Sequence, residues 1–153
     1  MALGKGVEVT AWVDTDSAGY KLTRFNHTGI LIFINSAPIA WYLKRQEKFE
    51  SSTFGSEVVS LRTCLELVKA LQYKLQMMGV PILGTARVWS DNKGVVNSAS
   101  VPDTNITKKH LGICYHVVRE ASAQGICNIG FCKRVNSIAD FLTNILSGTA
   151  TEK

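Results

Sequence analysis

Apolar and β-branched residues form three runs in the first third of the chain, and polar turn residues separate the runs. The runs occupy residues 7–13, 29–34 and 39–43. Residues 16–20 (DSAGY) and 35–38 (NSAP) supply turn chemistry between them. Short β-prone runs bounded by such residues predict strands, and three strands in succession predict an antiparallel meander.

The period of the pattern changes in the next segment. Between Val58 and Met78, apolar residues recur at steps of three or four positions, which predicts a long amphipathic helix. Residues 51–53 (SST) provide an N-cap before this helix, and Gly79 and Pro81 end it.

The second half of the chain alternates between the two patterns. Strands are predicted at 86–90 and 126–132, a short helix around 95–96, and longer helices at 107–124 and 136–146, the last capped by its first residue. The order is therefore βββαβααβα. It predicts an α/β protein in which helices flank a mixed five-stranded sheet, and right-handed crossovers place the fourth strand parallel to the first and beside it. This is the order of a ribonuclease H-like fold.

The length and composition fit one domain of this kind. The chain has 153 residues, of which 46% are hydrophobic, enough for a sizeable core. No repeat or linker divides it, so we expect a single domain over 1–153, with its core at about 7–146 and loose ends at 1–6 and 147–153. No run is long enough to span a membrane, and the first residues lack the apolar segment of a signal peptide. We therefore expect an intracellular, cytoplasmic protein without a membrane partner.

The net charge and the cysteine spacing exclude few classes of function. The net charge of +5 is compatible with a polyanionic partner but does not require one. Basic residues lie beside three candidate catalytic segments, although each group could equally be a solvated surface. The cysteines have neither CxxC nor zinc-finger spacing, so we interpret them as reduced packing residues. They are Cys64, Cys114, Cys127 and Cys132.

Four acidic residues are predicted to meet at one edge of the sheet. Asp14 and Asp91 end the first and fourth strands, and Glu57 and Asp140 lie in the first turns of the long and the last helix. The carboxyl ends of parallel strands share the edge at which α/β sheets bind ligands. Clustered carboxylates repel one another unless cations lie between them. Oxygen ligands without His or Cys favour Mg²⁺ or Mn²⁺, and two such ions would suit phosphodiester hydrolysis.

Each acid also has a purely structural explanation. Asp14 could open a turn, and Asp91 could cap a helix. Glu57 and Asp140 could be stabilised by the dipole at a helix start. These explanations do not account for the convergence of all four acids at one edge.

The segments around the acids resemble the ribonuclease H domain of copia-type LTR retrotransposon polyproteins. Each segment is short, but the ordered set extends from about residue 7 to residue 146 and is specific to that family. The segments are VDTDSAG at 13–19, TR at 23–24, TG at 28–29, APIAW at 37–41, KRQ at 44–46, SST at 51–53 with Glu57, SDN at 90–92, KH at 109–110, YH at 115–116, AD at 139–140 and LT at 142–143.

The resemblance implies an RNA–DNA hybrid endoribonuclease that acts during reverse transcription. It implies that Asp14, Glu57, Asp91 and Asp140 hold the metal, Mg²⁺ or Mn²⁺, as two ions when substrate is bound. The implied partners are the hybrid and the reverse transcriptase domain of the same polyprotein, in the cytoplasm or in virus-like particles.

Substrate contacts follow from the chemistry of a hybrid, which proteins recognise by shape and by 2′-hydroxyl contacts. Asn92, Ser52 and Thr53 are placed to contact sugar hydroxyls near the metal, although a helix start is the stronger explanation for Ser52 and Thr53. Four basic residues would contact phosphates and make the affinity salt-dependent: Lys44, Arg45, Lys108 and Lys109.

The sequence also departs from the family pattern. Residues 54–56 (FGS) leave Glu57 as the only acid of its segment, and Gly112 and Cys114 replace an Asp and an Arg. The loop before Asp140 lacks the histidine of cellular ribonucleases H. We expect water, Lys133 or another group to act in its place, with slow turnover.

Three alternatives remain open at this point. The chain could be a catalytically weak or inactive module of the same fold that binds hybrid or connects parts of the polyprotein. It could be an integrase or transposase core, although those usually use three acids. It could also be a metal-free interaction domain.

Overall fold

The computed structural model describes residues 4–16, 26–47, 53–100 and 109–140. Within these ranges the elements follow one another in the predicted order. They are β1 (Val9–Asp16), β2 (His27–Ile34), β3 (Ala37–Arg45), α1 (Thr53–Met77), β4 (Ala86–Ser90), α2 (Lys93–Ser100), α3 (Lys109–Ala123), β5 (Cys127–Phe131) and a 3₁₀ turn at Arg134–Asn136.

The strands form one mixed sheet in the order β3-β2-β1-β4-β5. Antiparallel pairing joins β1 to β2 and β2 to β3, whereas β4 runs parallel to both β1 and β5. The predicted adjacency of the first and fourth strands is therefore confirmed. As a result, β1 and β4 have their carboxyl ends at the same edge of the sheet.

The core lies between α1 and the sheet. Leu61, Leu65 and Val68 recur along one face of α1 and are almost fully buried, together with apolar residues of β1, β2 and β4. The apolar periodicity thus identified the buried face of this helix. Cys64, Cys114 and Cys127 are also buried as free thiols, in keeping with a packing role.

The long helix ends where the sequence predicts. Gly79 has a φ of 73°, and the N–H of Val80 donates to the carbonyl of Leu75 over 2.9 Å. A positive φ is least costly for glycine, so Gly79 stops the helix and turns the chain towards β4. In the part of the chain that the structure describes, no helix is long and apolar enough to cross a bilayer.

Two predicted boundaries were wrong. Asp14 does not end β1, because pairing with β2 continues to Asp16, opposite His27. The last helix does not begin at Asn136, whose N–H instead donates to the carbonyl of Lys133 and closes a 3₁₀ turn. Helical backbone resumes at 139–140, and residues 141–146 lie outside the described ranges.

The packing of α1 gives a direct test of the core. Leu65→Ala should lower the free energy of unfolding by about 2–5 kcal/mol, because the removed atoms leave a cavity at a site with 0% exposure. Urea unfolding would measure the change. On the same helix Tyr73 is 64% exposed, so Tyr73→Ala should change the stability by only about 0.5 kcal/mol. Equal losses in the two variants would contradict this account of the core.

Candidate acidic metal site

Three carboxylates converge at the carboxyl edge of β1 and β4. Asp14 of β1, Glu57 of α1 and Asp91 directly after β4 each offer an oxygen, and these oxygens lie within 4.8 Å of one another. They line a cavity of about 410 Å³. The predicted convergence is therefore present in the fold for these three acids.

The local structure explains how each acid is held. Asp14 pairs with Gly29 of β2 inside the strand and is only 1% exposed. Asp91 lies between Ser90, the last residue of β4, and Asn92, whose side-chain oxygen accepts from the N–H of Val95 over 3.2 Å and caps α2. Glu57 lies one turn into α1, on the helix face that packs on the sheet.

Burial and mutual repulsion raise the pKa values of these groups. Burial raises the pKa of Glu57 to about 8, and repulsion from Asp91 and Asp14 adds to the effect. A hydrogen bond from Thr15 and the charge of Arg134 act in the opposite direction. The pKa of Asp91 is also raised, by burial and then by Asp14. The cluster therefore holds its full negative charge only at a cost.

The donor set fits a hard divalent cation. The Glu57 Oε2 atom is buried and has no hydrogen-bond partner. Burying an unpaired carboxylate oxygen is unfavourable, because the solvation it loses is not replaced. A cation among three carboxylates would supply the missing interaction, and oxygen-only ligands suit hard ions. Asp14, Glu57 and Asp91 could therefore bind a metal.

Asp140 lies beside Arg134 rather than in the three-carboxylate group. Its Oδ1 accepts a hydrogen bond from Arg134 Nε over 3.2 Å. Its charge still raises the pKa of Asp91, so it is near the cluster. Arg134 lines the cavity, whereas Lys133, which the sequence suggested for this loop, is exposed and is not among the lining residues.

Sequence reasoning missed several residues of the cavity wall. Arg134 could have been proposed, because it directly follows Lys133, the residue that was expected to act in this loop. Thr15 lies between two aspartates of β1, and Lys93 directly follows the Ser-Asp-Asn segment. Lys93 also places its ammonium 5.0 Å from the centre of the Phe131 ring. The neighbours of these residues in the sequence indicate that they lie near the acidic site, whereas an arginine, threonine or lysine by itself does not.

Four of the remaining predicted contacts, all within the described residues, lie along the same edge. Thr53 and Asn92 line the acidic cavity. Lys44 and Arg45 lie at the end of β3 and line a separate cavity of about 370 Å³. Lys44 is paired with Glu47 over 3.1 Å. The predicted contacts that lie outside the described residues, wholly or in their side chains, are Ser52, Lys108 and Lys109.

The raised pKa of Glu57 predicts how stability depends on pH without metal. Because the folded-state pKa is about 8 and the ordinary value is 4.5, the unfolded chain loses this proton first, and stability falls as pH rises between these values. From pH 5 to pH 8 this group should cost up to about 3 kcal/mol. Glu57→Gln should remove most of that loss in urea unfolding with EDTA.

Glu66→Gln is the matched control for this experiment. Glu66 lies on the same helix with its side chain 56% exposed, so its substitution should leave the pH dependence of the wild type in place. If Glu57→Gln loses as much stability as the wild type between the two pH values, the buried carboxylate is not the cause.

Comparison with known sequences relates the chain to transposon polyproteins. No protein-family model matches it. Retrovirus-related Pol polyproteins from the Arabidopsis thaliana transposons RE1 and RE2 are 25% and 23% identical to it over 147 residues. Each alignment includes 96% of this chain and 10% of the polyprotein. The chain is thus homologous to a segment of these proteins and spans about a tenth of their length.

Solved structures share the architecture at low sequence identity. The N-terminal RNase H domain of a Mycobacterium tuberculosis protein has a TM-score of 0.65 at 19% identity, with 93% of this chain and 94% of that chain covered. LC11-RNase H1, in complex with an RNA/DNA hybrid, has 0.68 at 13%, with 90% and 95% covered. Prototype foamy virus protease-reverse transcriptase has 0.58 at 17%, with 93% and 21% covered. The fold common to the first two is that of ribonuclease H.

Proposed function

We propose that this chain, a segment with the ribonuclease H fold and homology to retrotransposon Pol polyproteins, cleaves the RNA strand of RNA–DNA hybrids. The observation that carries the proposal is the convergence of Asp14, Glu57 and Asp91, with one buried Glu57 oxygen left without a partner. A module that only binds nucleic acid gains nothing from burying repelling carboxylates. A metal-dependent hydrolase requires them.

Asp14, Glu57 and Asp91 would hold the metal, with Asp140 as the fourth ligand when substrate is bound. Mg²⁺ or Mn²⁺ suits these oxygen donors, and two ions would supply an activated water and stabilise the leaving 3′ oxygen. Arg134 keeps Asp140 next to the cluster through its 3.2 Å hydrogen bond. In the loop that lacks a histidine, its guanidinium rather than Lys133 would be available to a substrate phosphate.

Substrate recognition would combine polar contacts at the cavity with phosphate contacts along the edge. The Asn92 side-chain oxygen caps α2, so its amide NH₂ group is the part that would contact a sugar hydroxyl. Thr53 lines the same cavity, and Ser52 directly precedes it in sequence. Lys44, Arg45, Lys108 and Lys109 would bind phosphates. Recognition of this kind depends on duplex shape and gives little base specificity.

The relatives also suggest the setting in which the activity would operate. The chain aligns with a tenth of each Pol polyprotein, so it would act as a ribonuclease H domain attached to other parts. A reverse transcriptase domain of the same polyprotein would produce the hybrid on which this chain acts. The cytoplasm, including virus-like particles, is the location that fits this role.

Cleavage of a defined hybrid tests the proposal. With Mg²⁺ or Mn²⁺ the wild type should cut only the RNA strand and leave single-stranded RNA, duplex RNA and duplex DNA intact. Asp91→Asn should lower the cleavage rate by at least about 100-fold, because it removes a charged metal ligand. End-labelled strands resolved on denaturing gels would measure both results.

The outcomes separate the rival functions. A wild type that binds the hybrid but never cuts it with either metal would be a binding module. Joining of DNA ends without cutting of RNA would indicate an integrase or transposase core. Undiminished cutting by Asp91→Asn would place the catalytic site elsewhere.

The basic residues at the end of β3 predict the salt dependence of binding. In the Asp91→Asn background, Arg45→Gln should weaken hybrid binding and reduce the slope of log affinity against log salt by about one, the loss of one phosphate contact. Fluorescence anisotropy at several salt concentrations would measure the slope. Arg87→Gln is the control, because Arg87 lies near the amino end of β4, away from the cavity. Equal slopes for Arg45→Gln and the background protein would contradict the assigned contact.

A further inference from the structure

Buried polar side chains form a cluster around the first turns of α1, which carry Glu57. Such a group inside a small protein is costly unless its members satisfy one another. They come from β1, from the segment around the start of β2, from the residue after β3 and from the first turns of α1. The members are Thr15, Asn26, Thr28, Gln46, Ser56 and Ser60, all of them buried.

The amide of Gln46 is the donor at the centre of this cluster. Its Nε2 lies 3.1 Å from Thr28 Oγ1, 3.1 Å from Ser60 Oγ and 3.0 Å from the carbonyl oxygen of Ser56. Its Oε1 is buried and has no partner. The amide is thus oriented to donate to α1 and β2, even though one acceptor is left unsatisfied. The reverse orientation would leave the three oxygens without this donor.

Hydroxyl groups connect Gln46 to the acidic cavity. Ser60 Oγ lies 2.8 Å from Thr28 Oγ1 and 2.6 Å from Thr15 Oγ1. Thr15 and Glu57 both line the cavity. Ser60 lies three residues after Glu57, on the same face of α1. A continuous path of hydrogen bonds therefore leads from Gln46 through Ser60 to Thr15, at the wall of the cavity that Glu57 also lines.

Two residues of this path donate to Ser60. Thr15 and the Gln46 amide both donate to the Ser60 Oγ atom. A hydroxyl has a single hydrogen, so Ser60 can in turn donate its own to Thr28. The Ser60 side chain is therefore bonded to β1, to β2 and to the residue after β3. Because Ser60 lies three residues after Glu57, these bonds hold the turn of α1 that carries Glu57.

We propose that Gln46 is a positioning residue for the acidic site. Together with Thr15 it holds Ser60, and thereby the turn of α1 that carries Glu57, in place for a divalent cation. The inference rests on the proposed function, since it assigns these residues to its metal site. Groups that hydrogen-bond to metal ligands fix the ligand orientation, and their loss typically costs about 10- to 100-fold in metal affinity. The three residues belong to β1, α1 and the end of β3, so the site depends on the packing of all three elements.

Mn²⁺ binding to the metal-free protein tests this inference without any cleavage assay. Gln46→Met, Ser60→Ala and Thr15→Val each remove a member of the path at similar side-chain size. Isothermal titration calorimetry should give Mn²⁺ affinities at least about tenfold below the wild type. Circular dichroism would verify that each variant is folded at the temperature used.

Two further variants separate positioning from general stability. Thr15→Ser keeps the hydroxyl and should restore the affinity of the wild type. Thr63→Val removes a hydroxyl that bonds the carbonyl of Val59 within the same helix, outside the path, and should also bind Mn²⁺ normally. Unchanged affinity in Gln46→Met and Thr15→Val would overturn the inference, and so would an equal loss in Thr63→Val.

The same data distinguish failure of the inference from failure of the proposed function. A wild type that binds Mn²⁺ more tightly than the path variants but leaves hybrid uncut would support the positioning role and contradict the ribonuclease activity. If the wild type cuts hybrid and all path variants bind Mn²⁺ as tightly as the wild type does, the ribonuclease activity is supported and the positioning role is contradicted.

Discussion

Parallel pairing between β1 and β4 is the constraint on which the arrangement of the site depends. The register pairs Val13 with Ser90, so Asp14 and Asp91 are the next residues of two neighbouring strands and emerge side by side. A slip of one residue along β1 would put Thr15 in the place of Asp14. Because successive residues of a strand face opposite sides of the sheet, Asp14 would then face away from Asp91. The position of α1 on the sheet then determines where Glu57 meets them.

Burial of the three carboxylates is costly, and a bound cation would offset that cost. Asp14 and Glu57 are buried at 1% and 5% exposure, and the charge of Asp14 raises the pKa values of Glu57 and Asp91. Arg134 offsets part of the repulsion, but its side chain is 67% exposed and its Nε is bonded to Asp140. The Glu57 Oε2 atom remains without a partner in its presence. Arg134 therefore does not complete the cluster.

Local patterns predicted the elements and their order because those follow from periodicity. The runs of apolar residues and the change of period after Thr53 were sufficient to predict the mixed sheet. The strand order of that sheet was then sufficient to predict that Asp14 and Asp91 lie close together. The bond between Arg134 and Asp140 could not be predicted, because it depends on a 3₁₀ turn at Arg134–Asn136. The sequence indicated a helix start there. Turn geometry of this kind is set by backbone hydrogen bonds that residue types specify only weakly.

The polar cluster escaped sequence reasoning for a different reason. Ser56 and Ser60 interrupt the apolar stripe of α1, and serine in a helix is usually exposed, yet both are 0% exposed here. Thr15 and Thr28 are 45 and 32 residues away from Ser60, and Gln46 lies outside the helix, so the periodic pattern of α1 contains none of these pairs.

The first turns of α1 therefore bury polar groups, whereas the later turns bury Leu65 and Val68. Apolar packing is non-directional and stabilises the helix on the sheet, but hydrogen bonds require defined angles and orient its first turns. Within this one helix, the apolar part packs on the sheet, while the polar part bonds the turns that carry Glu57 to β1 and to the residue after β3.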